Sequence, residues 1–486
     1  MTTSPHQRLL PRDGHATNSP SIQPNVALSA AQLGGKTAPV AERGSGQDRL
    51  KTIFVTVQTG MVARDLLRCG ALDRVLSHPR ARVVLLTPGA RDPAFVAEFG
   101  SPRISILPQA PYSPSTLVWR LMLRRWRYAR SPRMADLMHR LEERFISVPT
   151  AYTRLLDEYQ PSLVVSGDPL RPADASLIAA ARQRGIPSLG SVRSWDNIQK
   201  HLRTRPDALT VWNTRNAREA VEIDRFRPTQ ISQVGAPQLD VYFRPAAPAG
   251  LGLDPRKKTL LLATSSFTFD SDQTYLVDAL IDAIRAGEIR HSTQIVLRLH
   301  PDDRVGRYLK YRHAPEVILD IPDRYLATLG WTMTTTDLQR MAALVRAADV
   351  MVNFATTVTL EAAIVDTPTL LVAFSTIDPD EMQRYVVGLH FKMHYKPLVE
   401  RDLVPIAWNA AQLIDWINRY FDDPGLYREQ RASIAREWVQ FTDGLSGQRL
   451  GDAILRHAGL ALEHPSTSMA SAAPTPPAAE RLCALR

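Results

Sequence analysis

The amino-acid sequence predicts an α/β protein made of two doubly wound domains. Three observations lead there. Short apolar, β-branched runs alternate with amphipathic helical stretches from Lys51 to Phe374, the pattern of parallel strands joined by crossover helices. A Pro/Gly-rich stretch at 244–256, "RPAAPAGLGLDPR", interrupts the alternation once, and it then restarts. The 486 residues are too many for one ordinary domain and enough to bury two cores.

The first domain is expected over 49–243. It opens with the strand "KTIFVTV", a tight Gln58-Thr59-Gly60 loop and the helical pattern "MVARDLLRCGALDRVLSH". "ARVVLLTP" and "RISILP" read as strands, and Leu, Met and Phe fall at helical spacing in "MADLMHRLEERFISVPTAYTRLLDEYQ". Then come the strand "PSLVVSGDP", the helix "ADASLIAAARQRG" closed by Gly185, the strand "IPSLGSV", and the strands "DALTVWN" and "QISQVGAP" around the helix "TRNAREAVEID". The second domain, 257–406, repeats the scheme with "KTLLLAT", "TQIVLRLHP", "EVILDIP", "DVMVNF" and "TPTLLVAF" as strands. Residues 407–460 read as mostly helical. The ends, 1–48 and 461–486, are rich in Ser, Pro and Ala and lack periodicity, so both are expected to be disordered tails.

Apolar residues make up 44% of the chain and charged residues 22%, an ordinary globular balance. Two cysteines, Cys69 and Cys483, support neither a disulfide framework nor a zinc site, in keeping with a reducing cytoplasm. No apolar run is long enough to span a bilayer, and the N-terminus lacks a signal-peptide core. The net charge is +10, and arginine is concentrated in "LVWRLMLRRWRYARSPR", 117–133. No helix-turn-helix, zinc-finger or RNA-recognition signature accompanies it, so nucleic acid is not the expected partner. Trp119, Leu121, Leu123 and Trp126 interleave with Arg120, Arg124, Arg125 and Arg127. That mixture suits either an arginine-rich helix with core apolar residues or peripheral contact with the inner face of the plasma membrane.

In doubly wound sheets ligands bind beyond the carboxyl ends of the strands, which puts the expected site in the cleft between the halves. Three segments of the second half end strands with polar groups. "DVMVNFATTVTLEAAIVD" places Thr356 and Thr357 at a helix start, with Glu361 one turn in. There the hydroxyls and free N–H groups can hold a phosphate and the carboxylate can accept from ribose hydroxyls, or the residues can simply cap the helix. "IVLRLHP" ends a strand at Arg298, His300 and Pro301; His300 can donate to a diphosphate or satisfy a neighbouring backbone group. Ser265 and Ser266 follow "TLLLAT" and can hold phosphate or cap the next helix. In the first half, Gly60 allows close approach of an acceptor, and Arg64 can meet an acceptor phosphate or lie on the surface. There is no Gly-x-x-x-x-Gly-Lys-Ser/Thr loop, Gly-x-Ser-x-Gly elbow or His-Glu-x-x-His.

Taken together, His300-Pro301, Thr356-Thr357 and Glu361 give the second half a resemblance to the GT-B superfamily: nucleotide-sugar glycosyltransferases, CDP-glycerol glycerophosphotransferases and sialyltransferases. The layout also looks like UDP-N-acetylglucosamine 2-epimerase, which shares the fold. The resemblance spans roughly 50–455 and implies two Rossmann-like domains facing each other. The second would bind the donor nucleotide, using Ser265, Ser266, Arg298, His300, Thr356, Thr357 and Glu361. One departure is that the Gly-x-Pro often following the Glu helix is Asp366-Thr367-Pro368 here. Where glycerophosphotransferases carry Trp-His-Gly near the acceptor, this chain reads Trp195-Asp196-Asn197. The resemblance therefore nominates Asp196 as general base, with Trp195, Asn197, Gly60 and Arg64 on the acceptor side; alternatively Asp196 and Asn197 simply form a turn or cap with Trp195 packing beneath them, and His201 and Asp168 are the next candidates as base. It also implies that the last helices cross back to the first domain, with Asp443 and Gly444 of "FTDGLSGQR" near the crossing.

What the resemblance implies is a cytoplasmic transferase that moves a sugar from a nucleotide-activated donor to a carbohydrate or lipid-linked acceptor of the cell envelope. No cofactor and no metal are expected, because such enzymes stabilise the leaving diphosphate with helix ends and basic side chains. The alternatives are glycerophosphate transfer, 2-epimerisation without an acceptor, and a non-catalytic nucleotide-binding scaffold.

Overall fold

The computed structural model describes residues 50–110, 137, 140, 141, 144–202, 204–244, 250–266, 272–323, 328–388, 391 and 393–460. The basic segment 117–133 and both tails lie outside them. The chain forms two parallel sheets. The first contains β1 (Lys51–Thr56), β2 (Ala81–Thr87), β3 (Ile104–Pro108), β4 (Leu163–Ser166), β5 (Ser188–Ser191), β6 (Ala208–Val211) and β7 (Ile231–Gln233). Its order is β3-β2-β1-β4-β5-β6-β7. The second contains β8 (Lys258–Ala263), β9 (Thr293–Arg298), β10 (Val317–Asp320), β11 (Val350–Asn353), β12 (Thr369–Val372) and β13 (Ile406–Ala407), in the order β10-β9-β8-β11-β12-β13. The fold is thus two Rossmann-like, doubly wound domains. The short β13 lies where the sequence reads as the start of a helical segment.

Each sheet changes winding direction at its first strand, β1 or β8, and such a switch point opens a crevice beyond the carboxyl ends. The register shows why the strands read as unbroken apolar runs. Phe54 lies between Val84 and Val164, and Leu261 between Val296 and Met351, all fully buried. Helices cover both faces, so both side-chain sets are removed from water. Each large apolar side chain so buried contributes roughly 1.5–3 kcal/mol.

On one face of the first sheet, Phe54 and Val164 pack with Tyr152 and Leu177. On the other, Ile53 and Val55 share a core with Leu450 and Ile454, so the helix Ser446–His457 covers the first domain. Gly447 makes that approach possible: a Cβ there would lie 1.7 Å from the Cys69 carbonyl oxygen. The outgoing connection, a 3₁₀ segment Pro237–Phe243, buries Leu239 and Tyr242 in the core of the second domain. Its Asp240 accepts from the Ser446 and Gly447 amides at 3.1 and 2.8 Å, tying the two crossings together. Asp443 and Gly444 form the turn beside this tie; Asp443 pairs with Arg449, and Gly444 has φ +69°.

A buried carboxylate braces the first domain's strand ends. Asp174 Oδ2 accepts from Thr56 Oγ1 and Ser166 Oγ at 2.6 Å and from the Asp168 amide at 3.0 Å, joining the ends of β1 and β4. Burial pushes its pKa up to about 7 against those three hydrogen bonds. Among the described residues, no helix is long and apolar enough to cross a membrane.

Candidate functional site

A cavity of about 210 Å³ opens where the carboxyl ends of the two sheets face each other. The second domain contributes Thr264 after β8, His300 and Pro301 after β9, and Thr356, Thr357 and Glu361 after β11. The first domain contributes Met61 and Arg64 after β1, Arg193 and Ser194 after β5, Trp212 after β6 and Gln238 after β7. Trp331 and Met333, from the stretch between β10 and the helix Thr335–Ala347, close one side.

His300 is held on three sides. Its amide donates to Thr264 Oγ1 at 2.8 Å, its Nδ1 accepts from the Asp302 amide at 3.0 Å, and its ring meets Trp331 edge-on at 5.3 Å between centroids. With Nδ1 accepting, a neutral ring carries its proton on Nε2, as assigned from this network. Glu361 sits in the first turn of the helix Val358–Ile364, and its Oε2 accepts from the Tyr242 hydroxyl at 2.5 Å. Burial raises its pKa, opposed by the Tyr242 hydrogen bond and by Arg64 and Arg298. Thr356 also lines the cavity, and its Oγ1 has no partner among the described residues.

Several expectations need correction. Arg298 lines the cavity, but its guanidinium is buried between Asp320 (2.6 Å) and Asp337 (2.7 Å), so its charge is already matched. Ser265 and Ser266 are not among the lining residues: the Ser265 amide donates to Gln273 Oε1 at 2.8 Å, and Ser266 Oγ donates to Asp302 Oδ2 at 2.8 Å. Thr264, one residue earlier, takes that place. Gly60 is close-packed, but against protein. A Cβ there would lie 2.1 Å from the Trp331 carbonyl oxygen, and its amide donates to the Leu329 carbonyl at 3.0 Å.

The acceptor-side motif departs furthest from expectation. Trp195, Asp196 and Asn197 do not line the cavity; the neighbouring Ser194 does. Trp195 is buried against His394 and Tyr395, with 5.2 Å between centroids in each pair. Buried Asn197 accepts from the Ser194 amide at 3.0 Å, closing a turn. Asp196 is ion-paired with Lys200. Burial alone would raise its pKa, but Lys200 and His394 outweigh it and hold the group at about 2. A carboxylate that acidic and so placed is a poor general base. His201 sits 3.5 Å from Asp224 outside the cavity lining, and Asp168 is buried next to Arg193 (3.6 Å) and Arg171 (3.4 Å).

Arg64 does line the cavity, with its Nε donating to Asp65 Oδ1 at 2.6 Å. Arg193, Trp212, Gln238 and Tyr242 escaped the sequence reading. The signal that finds the first three is position: "SLGS", "ALTV" and "ISQ" are strands, and these residues follow their carboxyl ends. The departure at Asp366 is also explained. Its φ is +58°, a left-handed conformation that favours glycine, and its carboxylate is held by Arg428 (3.0 Å) and buried Arg431 (2.8 Å) outside the cavity. Among the described residues, no group of three His, Cys, Asp or Glu side chains could hold a metal ion.

No protein-family model and no curated protein matches the sequence. Solved structures do match the fold. UDP-GlcNAc 2-epimerase from Neisseria meningitidis bound to UDP-GlcNAc aligns with a TM-score of 0.52 at 11% identity, over 84% of this chain and 100% of that one. The S. aureus MnaA-UDP co-structure aligns with a TM-score of 0.52 at 11% identity, over 86% and 99%. The wall teichoic acid polymerase TagF aligns with a TM-score of 0.49 at 13% identity, over 86% and 92%. With two facing Rossmann-like domains, a cleft at both switch points and the two relatives that align with TM-scores of 0.52, the chain has the GT-B fold.

Proposed function

We propose that this protein is a glycosyltransferase that binds a nucleotide sugar in the interdomain cavity and transfers the sugar to an acceptor hydroxyl. The observation that carries this reading is the convergence of His300, Thr356, Thr357 and Glu361 on one cavity wall, from the ends of β9 and β11. The threonine hydroxyls and His300 Nε2 suit a diphosphate, and the Glu361 carboxylate suits ribose hydroxyls. Structural relatives captured with UDP and with UDP-GlcNAc support a nucleotide ligand.

In the proposed reaction an acceptor hydroxyl oxygen bonds to the anomeric carbon as the bond from that carbon to the diphosphate oxygen breaks, and the hydroxyl proton is released to water. The electron pair leaves with the nucleoside diphosphate. Growing charge there is met by His300, by the hydroxyls of Thr356 and Thr357 and, from the opposite wall, by Arg64. The acceptor is envisaged as a carbohydrate or a lipid-linked carbohydrate of the cell envelope, reached from the cytoplasm.

The relatives with TM-scores of 0.52 favour a second reading, epimerisation of a nucleotide sugar at C2. The two readings separate in one experiment. Calorimetry with UDP, CDP, GDP and ADP identifies the nucleotide; its sugar conjugates are then incubated with and without acceptor and followed by NMR. Release of nucleoside diphosphate that depends on acceptor supports transfer, and a C2 epimer formed without acceptor supports the second reading. Failure of every nucleotide to bind overturns both.

A further inference from the structure

The first-domain wall of the cavity carries polar groups that the nucleotide reading leaves unused. Trp212 and Gln238 both line the cavity and are at least nine-tenths buried. Trp212 Nε1 and Gln238 Oε1 have no hydrogen-bond partner among the described residues. Beside them, Arg193 Nε has only a 3.6 Å contact with Asp168 Oδ2. A buried polar group left unpaired costs about 1–3 kcal/mol, so several around one cavity point to a ligand that completes them.

The chemistry of that ligand follows from the set. Gln238 Nε2 donates to the Arg193 carbonyl at 3.4 Å, which orients the amide and leaves Oε1 as an acceptor. The indole N–H of Trp212 only donates. A hydroxyl group suits either, because it can accept from the Trp212 N–H or donate to Gln238 Oε1. A phosphate or carboxylate oxygen would instead oppose Gln238 Oε1, acceptor against acceptor. Both residues follow strands of the first sheet, across the cavity from His300 and Glu361.

We propose that Trp212 and Gln238, with Arg193 beside them, form a hydroxyl-reading subsite that holds the glycosyl group of the bound nucleotide sugar. This rests on the functional reading above, and it assigns the sugar end of the ligand to the first domain. Selectivity among sugars then depends on where a hydroxyl meets this donor–acceptor pair.

The test uses whichever of UDP, CDP, GDP and ADP binds the wild-type protein, together with its glucose conjugate. Trp212→Phe keeps an aromatic ring and removes the N–H; Gln238→Met keeps the length and removes the acceptor. Each variant is expected to bind the free diphosphate within about twofold of wild type and the conjugate about three- to tenfold more weakly, the worth of one hydrogen bond. Equal losses for both ligands, or unchanged affinity for the conjugate, overturn the subsite while leaving the nucleotide site standing. Absence of binding by any diphosphate overturns the functional reading and the subsite together. Should a variant fail to fold, conjugates lacking single sugar hydroxyls are titrated into the wild-type protein. Weaker binding on loss of one hydroxyl supports the subsite, and indifference to every hydroxyl overturns it.

Discussion

The two walls of the cleft are built from the same parts, yet they offer different chemistry. The second-domain wall presents the carboxylate of Glu361, the hydroxyls of Thr356 and Thr357, and a histidine fixed by its neighbours, while Arg298 is neutralised behind it. The first-domain wall presents Arg64, Arg193 and the indole of Trp212, with Asp65 and Asp168 alongside the arginines. A strand end supplies the place for a functional group, and the residue that happens to follow it decides what the place does.

The largest expected effect tests whether the nucleotide belongs to the second wall. Glu361→Ala removes a charged hydrogen-bond acceptor worth about 1.5–3 kcal/mol and is expected to weaken nucleotide binding about ten- to a hundredfold. Arg193→Ala, on the opposite wall, is expected to weaken binding of the free nucleotide less than about fivefold. Equal losses in calorimetry would break the distinction between the walls.

A smaller effect is expected from Asp196→Asn. Its carboxylate is paired with Lys200, held at about pKa 2 and placed outside the cavity lining. Turnover is therefore expected to stay within about tenfold of wild type, well short of the loss a general base normally causes. A collapse of turnover with unchanged donor affinity would restore Asp196 to the mechanism.

These two residues also show how far the sequence could be read. Both sheets follow from apolar runs buried on two faces, because that burial leaves its mark on consecutive residues, as in "TIFV" and "LLLA". That His300, Thr356 and Glu361 line the cavity is legible because each comes shortly after such a run and the helix start is written in the same segment. Asp196 stands out only by analogy of position within a motif, and five residues beyond the end of β5 the chain has already turned back into the core, burying Trp195 and Asn197. Gly60 suggests close approach of an acceptor, whereas its close neighbour is the Trp331 carbonyl, 271 residues further along the chain. Contacts of that kind leave no local trace. Tyr242 is another: its partner Glu361 lies in a different domain.

The smallest effect concerns what stands behind the walls. Arg298 braces the second with two ion pairs, whereas Asp174 braces the first while its folded pKa is raised to about 7. Between the ordinary carboxylate range and that value, the folded protein keeps a proton on Asp174 that the unfolded chain has released. Folding is therefore favoured at lower pH, and this contribution is lost as pH rises toward and past about 7. Asp174→Asn is expected to flatten the dependence of Tm on pH from 5 to 8. An identical slope in both proteins, measured by calorimetry, would show that the brace is ionised throughout.

The contact around Gly60 has a kinetic consequence. The Gly60 amide donates to Leu329, Arg68 Nη1 reaches Thr332 Oγ1 at 2.6 Å and the Met333 carbonyl at 3.2 Å, and the Leu329 side chain is buried in the core of the first domain. Trp331 and Met333, from the same stretch, form part of the cavity wall. Parting the domains on this side requires a leucine to be drawn out of a hydrophobic core and several interdomain hydrogen bonds to be exchanged for water. Changes at Leu329 or Arg68, neither of which lines the cavity, are therefore expected to alter how readily the domains part while leaving the chemistry of the site untouched.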